Sequence, residues 1–264
     1  MQKTILFLAA NPKDTDELNL KPEADEIDKK LQRLQRDKQF VLKQQWATTL
    51  DEVRHTLLDL KPHFVNFSGH GAGQAGIVLE DEAGKSQLVS TDALANFLAP
   101  FAGQIECVIL NACFSAVQAS AIVKHINYVI GMNQPIEDKA AISFAGGFYD
   151  ALAAGESIAT AFQMGRTTIQ AKLPELAEHL KPVLKTRYAD PYWQLPIPPN
   201  PVFSGREQVL QQLQETLHSR QVAALSGIGG VGKTQTAAHY AHWHRHEYQA
   251  VLWTLADTVG VWWR

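Results

Sequence analysis

Apolar positions along the first 180 residues fall into two alternating patterns. Short, nearly unbroken apolar runs occupy 4–9, 40–44, 64–67, 107–110 and 128–130. Runs of that length predict strands covered on both faces. Between them, apolar residues recur at helical spacing over 23–36, 50–60, 91–98, 116–124, 138–153 and 157–172, with Ser157 placed to cap the last. Strands alternating with helices predict an α/β sandwich: a mostly parallel central sheet, helices on both faces and right-handed crossovers. In such a sheet, ligands and reacting groups collect at the carboxyl ends of the strands.

Proline then changes the picture. Six of the 12 prolines fall between Pro182 and Pro201, ending in Pro196-Ile197-Pro198-Pro199-Asn200-Pro201. A fixed φ and a missing donor exclude a central strand or a regular helix there, and predict a semi-rigid linker. The 264 residues thus divide into a domain at 1–180, a linker at 181–202 and a smaller unit at 203–264. Apolar residues at 45% and a net charge of −3 suit a globular protein without the basic footprint of a nucleic-acid binder. Two cysteines, Cys107 and Cys113, exclude a disulfide framework and point to a reducing, cytoplasmic compartment. No run approaches the roughly 18 apolar residues that span a bilayer, so no membrane partner is expected. The opening Ile5-Leu6-Phe7-Leu8-Ala9-Ala10 is short enough for a signal peptide. The polar Lys13-Asp14-Thr15-Asp16-Glu17 behind it suits no cleavage site, and a buried first strand is expected instead.

Two strand ends carry conspicuous residues. The third strand breaks into Gly69-His70-Gly71 and the fourth into Asn111-Ala112-Cys113-Phe114-Ser115. If those strands are neighbours, His70 and Cys113 open on one crevice. A helix starting near Ser115 would favour the Cys113 thiolate through its dipole. A thiolate beside an imidazole is the minimal apparatus for covalent acyl transfer. Cys107, inside its strand, reads as a buried small hydrophobe. His55, His63, His125 and His179 read as solvated or structural. Asn66 and Asn111 are expected in turns, leaving no third catalytic residue to name. Glu80-Asp81-Glu82 would suit a basic substrate side chain, but with Ala83-Gly84 behind it the better reading is a hairpin turn.

These residues resemble a known family. Phe67-Ser68-Gly69-His70-Gly71 followed by Leu110-Asn111-Ala112-Cys113-Phe114-Ser115 is similar to the CHAT domain, a bacterial branch of the caspase-like cysteine peptidases. Ile5 to Pro12, Gly76-Ile77-Val78-Leu79-Glu80, Val129-Ile130-Gly131-Met132 and the stretch from Phe144 to Gly155 extend the likeness to about residue 172. The resemblance implies a caspase-like three-layer sandwich and peptide-bond hydrolysis. It makes His70 the acid/base, Cys113 the nucleophile, and the backbone N–H groups of Gly71 and Cys113 the oxyanion donors. No cofactor is implied for the peptidase.

Past the linker, 221–226 reads as a strand leading into Gly227-Ile228-Gly229-Gly230-Val231-Gly232-Lys233-Thr234, the full Walker A pattern. Backbone N–H groups of Gly227, Gly229, Gly230, Val231 and Gly232 would wrap phosphates. Lys233 would reach the β- and γ-phosphates and Thr234 would hold Mg²⁺. With Phe203-Ser204-Gly205-Arg206-Glu207 ahead and Val251-Leu252-Trp253 as a second strand, the unit resembles the NB-ARC module of signalling ATPases. That implies an ADP or ATP switch and self-association through the module. No acidic strand end of Walker B type follows, so a partial P-loop α/β unit is expected, without ATP hydrolysis. The greasy close, Val259 to Arg264, looks interrupted. His239, His242, His244 and His246 crowd together, but a partly solvated helix end is the plainer reading than a metal site. The leading expectation is a cysteine endopeptidase of bacterial signalling or defence, acting on a protein substrate or downstream effector under a nucleotide switch. A non-catalytic CHAT interaction module with nucleotide binding is the alternative. An N-terminal NAD-handling receptor domain, the third option, does not account for the ordered His and Cys motifs.

Overall fold

The computed structural model describes residues 2–33, 39–187, 192–200, 202–245, 248 and 250–254. It divides into two units, Met1–Arg187 and Tyr188–Arg264. The first runs β1 (Lys3–Ala9), α1 (Lys21–Arg33), β2 (Phe40–Gln45), α2 (Leu50–Leu60), β3 (Phe64–Ser68), β4 (Ile77–Glu80), β5 (Ser86–Val89), α3 (Thr91–Leu98), β6 (Cys107–Asn111), α4 (Ala116–Ile122), β7 (Tyr128–Met132), α5 (Asp138–Ala153), α6 (Ile158–Lys172) and β8 (Pro182–Thr186). Six strands form one sheet in the order β2-β1-β3-β6-β7-β8. All neighbours pair in parallel except β7 and β8. The antiparallel hairpin β4–β5 stands outside that sheet.

Strand periodicity decides which side chains face which helices. Ile5, Phe7 and Ala9 of β1 and Cys107 and Ile109 of β6 join Ala24 and Ile27 of α1 and the apolar faces of α5 and α6. The alternate residues, Leu6, Leu8, Val65, Phe67, Val108 and Leu110, pack against Val53 and Leu57 of α2, Leu94 and Leu98 of α3 and Ile122 of α4. Two apolar layers on a doubly covered sheet account for the continuous hydrophobic runs in these strands. At the expected cap position, the Ser157 hydroxyl accepts from Thr160 N–H at 3.1 Å.

The expected linker at 181–202 needs correction. Residues 182–186 are a strand, β8, on the edge of the main sheet. Pro182 sits at its first position, where a missing donor does little harm. Residues 192–194 form β9 (Tyr192–Gln194) in the second unit, so the seam lies between Arg187 and Tyr188, not at 180. The second unit continues with α7 (Glu207–Arg220), α8 (Lys233–Trp243) and β10 (Ala250–Leu252), which pairs in parallel with β9. The strand expected at 221–226 is absent, and that stretch is irregular backbone with Val222 73% exposed. Among the described residues no neighbouring strand pairs with it, and Val251-Leu252 pairs with β9 instead. No helix among the described residues is long and apolar enough to cross a membrane.

Candidate active site

Adjacent strands deliver the two conspicuous residues to one edge. β3 and β6 run side by side with Ser68 opposite Asn111. His70 stands two residues beyond the first, and Cys113 two beyond the second. The Gly69 N–H donates to the Asn111 carbonyl at 3.3 Å, extending the pairing past the last ladder position. Beyond it the two backbones touch. A Cβ on Gly71 would lie 2.0 Å from the Cys113 carbonyl oxygen and 3.0 Å from its nitrogen, so only glycine permits this approach.

The turn holding Cys113 is anchored from beneath. Ser115, wholly buried, donates its hydroxyl hydrogen to the Leu110 carbonyl at 2.7 Å and accepts the Met132 N–H at 2.9 Å. Its hydroxyl therefore does not cap α4, which spans only seven residues. Phe114 adopts a left-handed φ of 57° and is 45% exposed. Cys113 is partly exposed, whereas Cys107 is buried and its thiol is pushed well above the usual range by that burial.

His70 is oriented by a backbone atom that sequence patterns do not mark. Its Nε2 lies 2.8 Å from the Asp16 carbonyl oxygen. A carbonyl only accepts, so Nε2 carries the hydrogen and Nδ1 of the neutral ring is left as an acceptor. The loop bearing Asp16 is closed by Asn11, whose side chain donates to the Leu18 carbonyl and accepts the Leu18 N–H, both at 3.1 Å. The β4–β5 hairpin braces the same loop. Lys13 N–H donates to the Gly84 carbonyl, and the Asp14 carboxylate accepts from the N–H and hydroxyl of Ser86. Those bonds from Ser86 lower the Asp14 carboxyl below its ordinary range. The hairpin turn expected at Glu80-Asp81-Glu82 holds for Asp81 and Glu82, with Asp81 accepting from the N–H groups of Ala83 and Lys85, whereas Glu80 ends β4. Glu80 is buried and takes the Asn11 N–H at 2.9 Å.

Asn66 and Asn111 are not turn residues. Both lie in strands and, with Ser68, donate to the buried carboxylate of Glu23 on α1. Burial raises the Glu23 carboxyl, and the hydrogen bonds from Ser68, Asn66 and Asn111 oppose that rise. Sequence reading missed this residue because a Glu in an amphipathic helix is ordinarily solvated. The available signal was polar Asn66, Ser68 and Asn111 at strand positions that otherwise face the α1 core.

In the second unit, the glycine-rich loop precedes α8 directly. Gly227, Gly230 and Gly232 have φ of 152°, 77° and 85°, conformations side chains rarely adopt. Added Cβ atoms at Gly229 and Gly230 would meet no described residue within 4 Å. Lys233 Nζ donates to the carbonyls of Gly227 and Ile228 at 2.9 and 3.0 Å. Arg206 ties the loop to α8 through Val231 O and Thr236 Oγ1. Lys233 and Thr234 border a cleft of about 360 Å³ whose other walls include Leu213, Leu225 and Trp253. His239 stacks on Phe203, and His244 on Tyr240. Among the described residues, no group of three or more His, Cys, Asp or Glu is placed to hold a metal, and His246 lies outside them.

The CHAT domain family model matches residues 2–193, well over half of the chain. The chain belongs to the CHAT domain family. The match takes in both strand ends with His70 and Cys113, and continues through β8 to residue 193 in β9, into the stretch that proline content set aside. A curated Roc-COR-CHAT protease from an unknown prokaryotic organism is 24% identical over 128 residues, covering 46% of this chain and 12% of that protein. A probable protease of Gillisia limnaea is 24% identical over 152 residues, covering 57% of this chain and 27% of that protein. The CHAT chain thus spans about an eighth and about a quarter of these relatives' own lengths. A solved structure of a secreted C11 cysteine protease from Bacteroides thetaiotaomicron, in complex with an irreversible peptide inhibitor, aligns with a TM-score of 0.48 and 14% identity. That alignment covers 65% of this chain and 59% of that one.

Proposed function

We propose that this CHAT domain is a cysteine endopeptidase acting in bacterial signalling or defence, with Cys113 as nucleophile and His70 as acid/base. The observation that carries the reading is the juncture of the β3 and β6 ends, where Gly71 packs on the Cys113 backbone. The name of the Roc-COR-CHAT protease supports it at family level. With Nε2–H held by the Asp16 carbonyl, His70 Nδ1 is the atom available to take the Cys113 proton. The sulfur then attacks the scissile carbonyl, and the developing oxyanion is received by backbone N–H groups of Gly71 and Cys113. His70 returns its proton to the departing amine. It next deprotonates water, which cleaves the thioester and restores the thiol.

The glycine-rich loop supports a second element of the reading, an ADP- or ATP-binding switch of NB-ARC type in residues 203–264. Its glycine conformations and the place of Lys233 at the start of α8 fit a phosphate cradle. Gly227, Gly229, Gly230, Val231, Gly232 and Lys233 would hold the phosphates, and Thr234 the Mg²⁺. The nucleotide would supply the negative charge that draws Lys233 off the loop carbonyls. No hydrolytic step is assigned to this chain, and self-association and the downstream protein partner belong to the same proposal.

A peptide-library cleavage assay tests the peptidase. Cys113→Ala should lower the rate at least about 10³-fold, the scale of losing a nucleophile, while the melting curve stays in place. An unchanged rate in Cys113→Ala overturns the reading. Titration with Mg-ADP tests the switch: Lys233→Ala should weaken binding at least about tenfold, and equal binding by parent and variant rejects it.

A further inference from the structure

Strand parity leaves an anomaly beneath the site. Phe64, Cys107 and Ile109 face the α1 side of the sheet in an apolar layer. Asn66, Ser68 and Asn111 share that face toward the strand ends, and all three reach one group, the Glu23 carboxylate, which is 3% exposed. Ser68 Oγ donates to Glu23 Oε2 at 2.6 Å and Asn111 Nδ2 to the same oxygen at 2.8 Å. Asn66 Nδ2 donates to Oε1 at 3.2 Å, and the Tyr149 hydroxyl of α5 donates to Asn66 Oδ1 at 3.3 Å. Among the described residues the buried Asn111 Oδ1 has no hydrogen-bond partner, so the carboxylate, and not the amide's own oxygen, sets that side chain.

Folding alone does not call for this arrangement. Apolar residues of matching shape commonly replace buried charged groups with no loss of stability. What the carboxylate does is join. Ser68 lies two residues before His70, Asn111 two before Cys113, and both end on a single oxygen. Glu23 itself is buried beneath the strands and touches neither His70 nor Cys113 through any of these bonds. We propose that Glu23 is a positioning residue: its carboxylate ties the β3 end to the β6 end and so fixes the placement of His70 against Cys113. The proposal rests on the peptidase reading for its consequence in turnover, but its geometry is testable apart from it.

The titratable groups facing Glu23 are Tyr149 and Asp138 of α5 and, through Tyr149, Cys107 of β6. Burial raises the phenol and the thiol far above their usual ranges, so they stay neutral, while Asp138 adds to the rise of Glu23.

An exchange of partners tests the proposal. Glu23→Gln sets an amide donor against the Asn111 amide. Asn111→Asp sets two carboxyl groups about one hydrogen bond apart, where they share a proton. The double variant restores donor opposite acceptor with the ends reversed. Peptide cleavage by Glu23→Gln should fall about 10- to 100-fold in kcat, the scale of a misplaced reacting pair, with KM within about twofold. Asn111→Asp should keep activity at low pH and lose it as the shared proton leaves. The double variant should regain at least about tenfold over the worse single, the coupling that a cycle detects. Parent-like kcat in Glu23→Gln, or no recovery in the double variant, overturns the proposal. Should Glu23→Gln not fold, Ser68→Ala removes one tie alone and should still lower kcat severalfold.

A second measurement needs no turnover. Alkylation of Cys113 by iodoacetamide, followed by mass spectrometry with buried Cys107 as internal reference, reads the His70–Cys113 placement directly. Glu23→Gln should slow it about fivefold or more near neutral pH. Cleavage that persists in Cys113→Ala sinks the peptidase reading. Parent-like alkylation in Glu23→Gln sinks the positioning role.

Discussion

Single residues at the strand ends carry most of the site's geometry, and Gly71 is the least replaceable. A methyl group there would sit 2.0 Å from the Cys113 carbonyl oxygen, inside any allowed contact. The two turns must then part. Overpacking of this kind costs about 1–3 kcal/mol, which a domain of this size survives. Gly71→Ala should therefore stay folded, with a melting point lowered by a few degrees, yet lose cleavage about 100-fold as the oxyanion donors shift. Full activity in a folded Gly71→Ala protein would show that the close approach has no part in catalysis. Ser115 works in the opposite sense. It gives one hydroxyl to backbone groups of two strands, the Leu110 carbonyl of β6 and the Met132 N–H of β7, and so fixes the turn from below.

Among the elements, the loop between β1 and α1 matters more than its lack of regular structure suggests. Asn11 closes it onto Leu18, the hairpin braces it, and its Asp16 carbonyl holds His70. Asn11→Ala should speed amide exchange across 13–18 and lower kcat about tenfold, near the low end of what an aligned acid/base contributes. Faster exchange with unchanged kcat would show that Asp16 does not orient His70. This loop also marks the limit of what sequence conveys. The strands β1, β2, β3, β6 and β7 and the helices at 50–60, 91–98 and 138–153 were legible because apolar residues recur there at the period of each element. His70 and Cys113 were legible as residues at adjacent strand ends. The Asp16 carbonyl was not, because a backbone acceptor has no residue-type signature. Glu23 was hidden by its company, Asp25 and Glu26 on the same amphipathic helix. β8 was hidden by Pro182, which is tolerated only because the strand lies on an edge. The strand at 221–226 was over-read: apolar composition signals a strand only where a partner is present to pair with it.

At the scale of the molecule, pH bears on the stability of the first unit through His63. Its Nδ1 accepts the Thr4 N–H at 3.2 Å, and burial holds the imidazole below its ordinary value of 6.5. The unfolded chain takes up a proton at about that value while the folded one resists. The contribution is thus complete above pH 6.5 and is lost as pH falls through the window beneath it. His63→Asn keeps an acceptor near the same place and removes the titration. Opening free energies from amide exchange in β1 and β3 should fall between pH 7 and 5 in the parent and fall less in the variant. Equal slopes would remove His63 from the account. Glu23 acts in the other direction: its raised carboxyl favours the folded state at low pH and loses that advantage as pH rises past the ordinary 4.5.

Phe114 sets one further term in that balance. A left-handed backbone costs an L-residue about 1–2 kcal/mol, and a ring left 45% in water returns little of it. Glycine at this position would carry no such cost. A phenylalanine beside Cys113 means that the domain carries an unclaimed increment of thermal tolerance, of a kind engineers usually have to create, at the spot where its chemistry is expected.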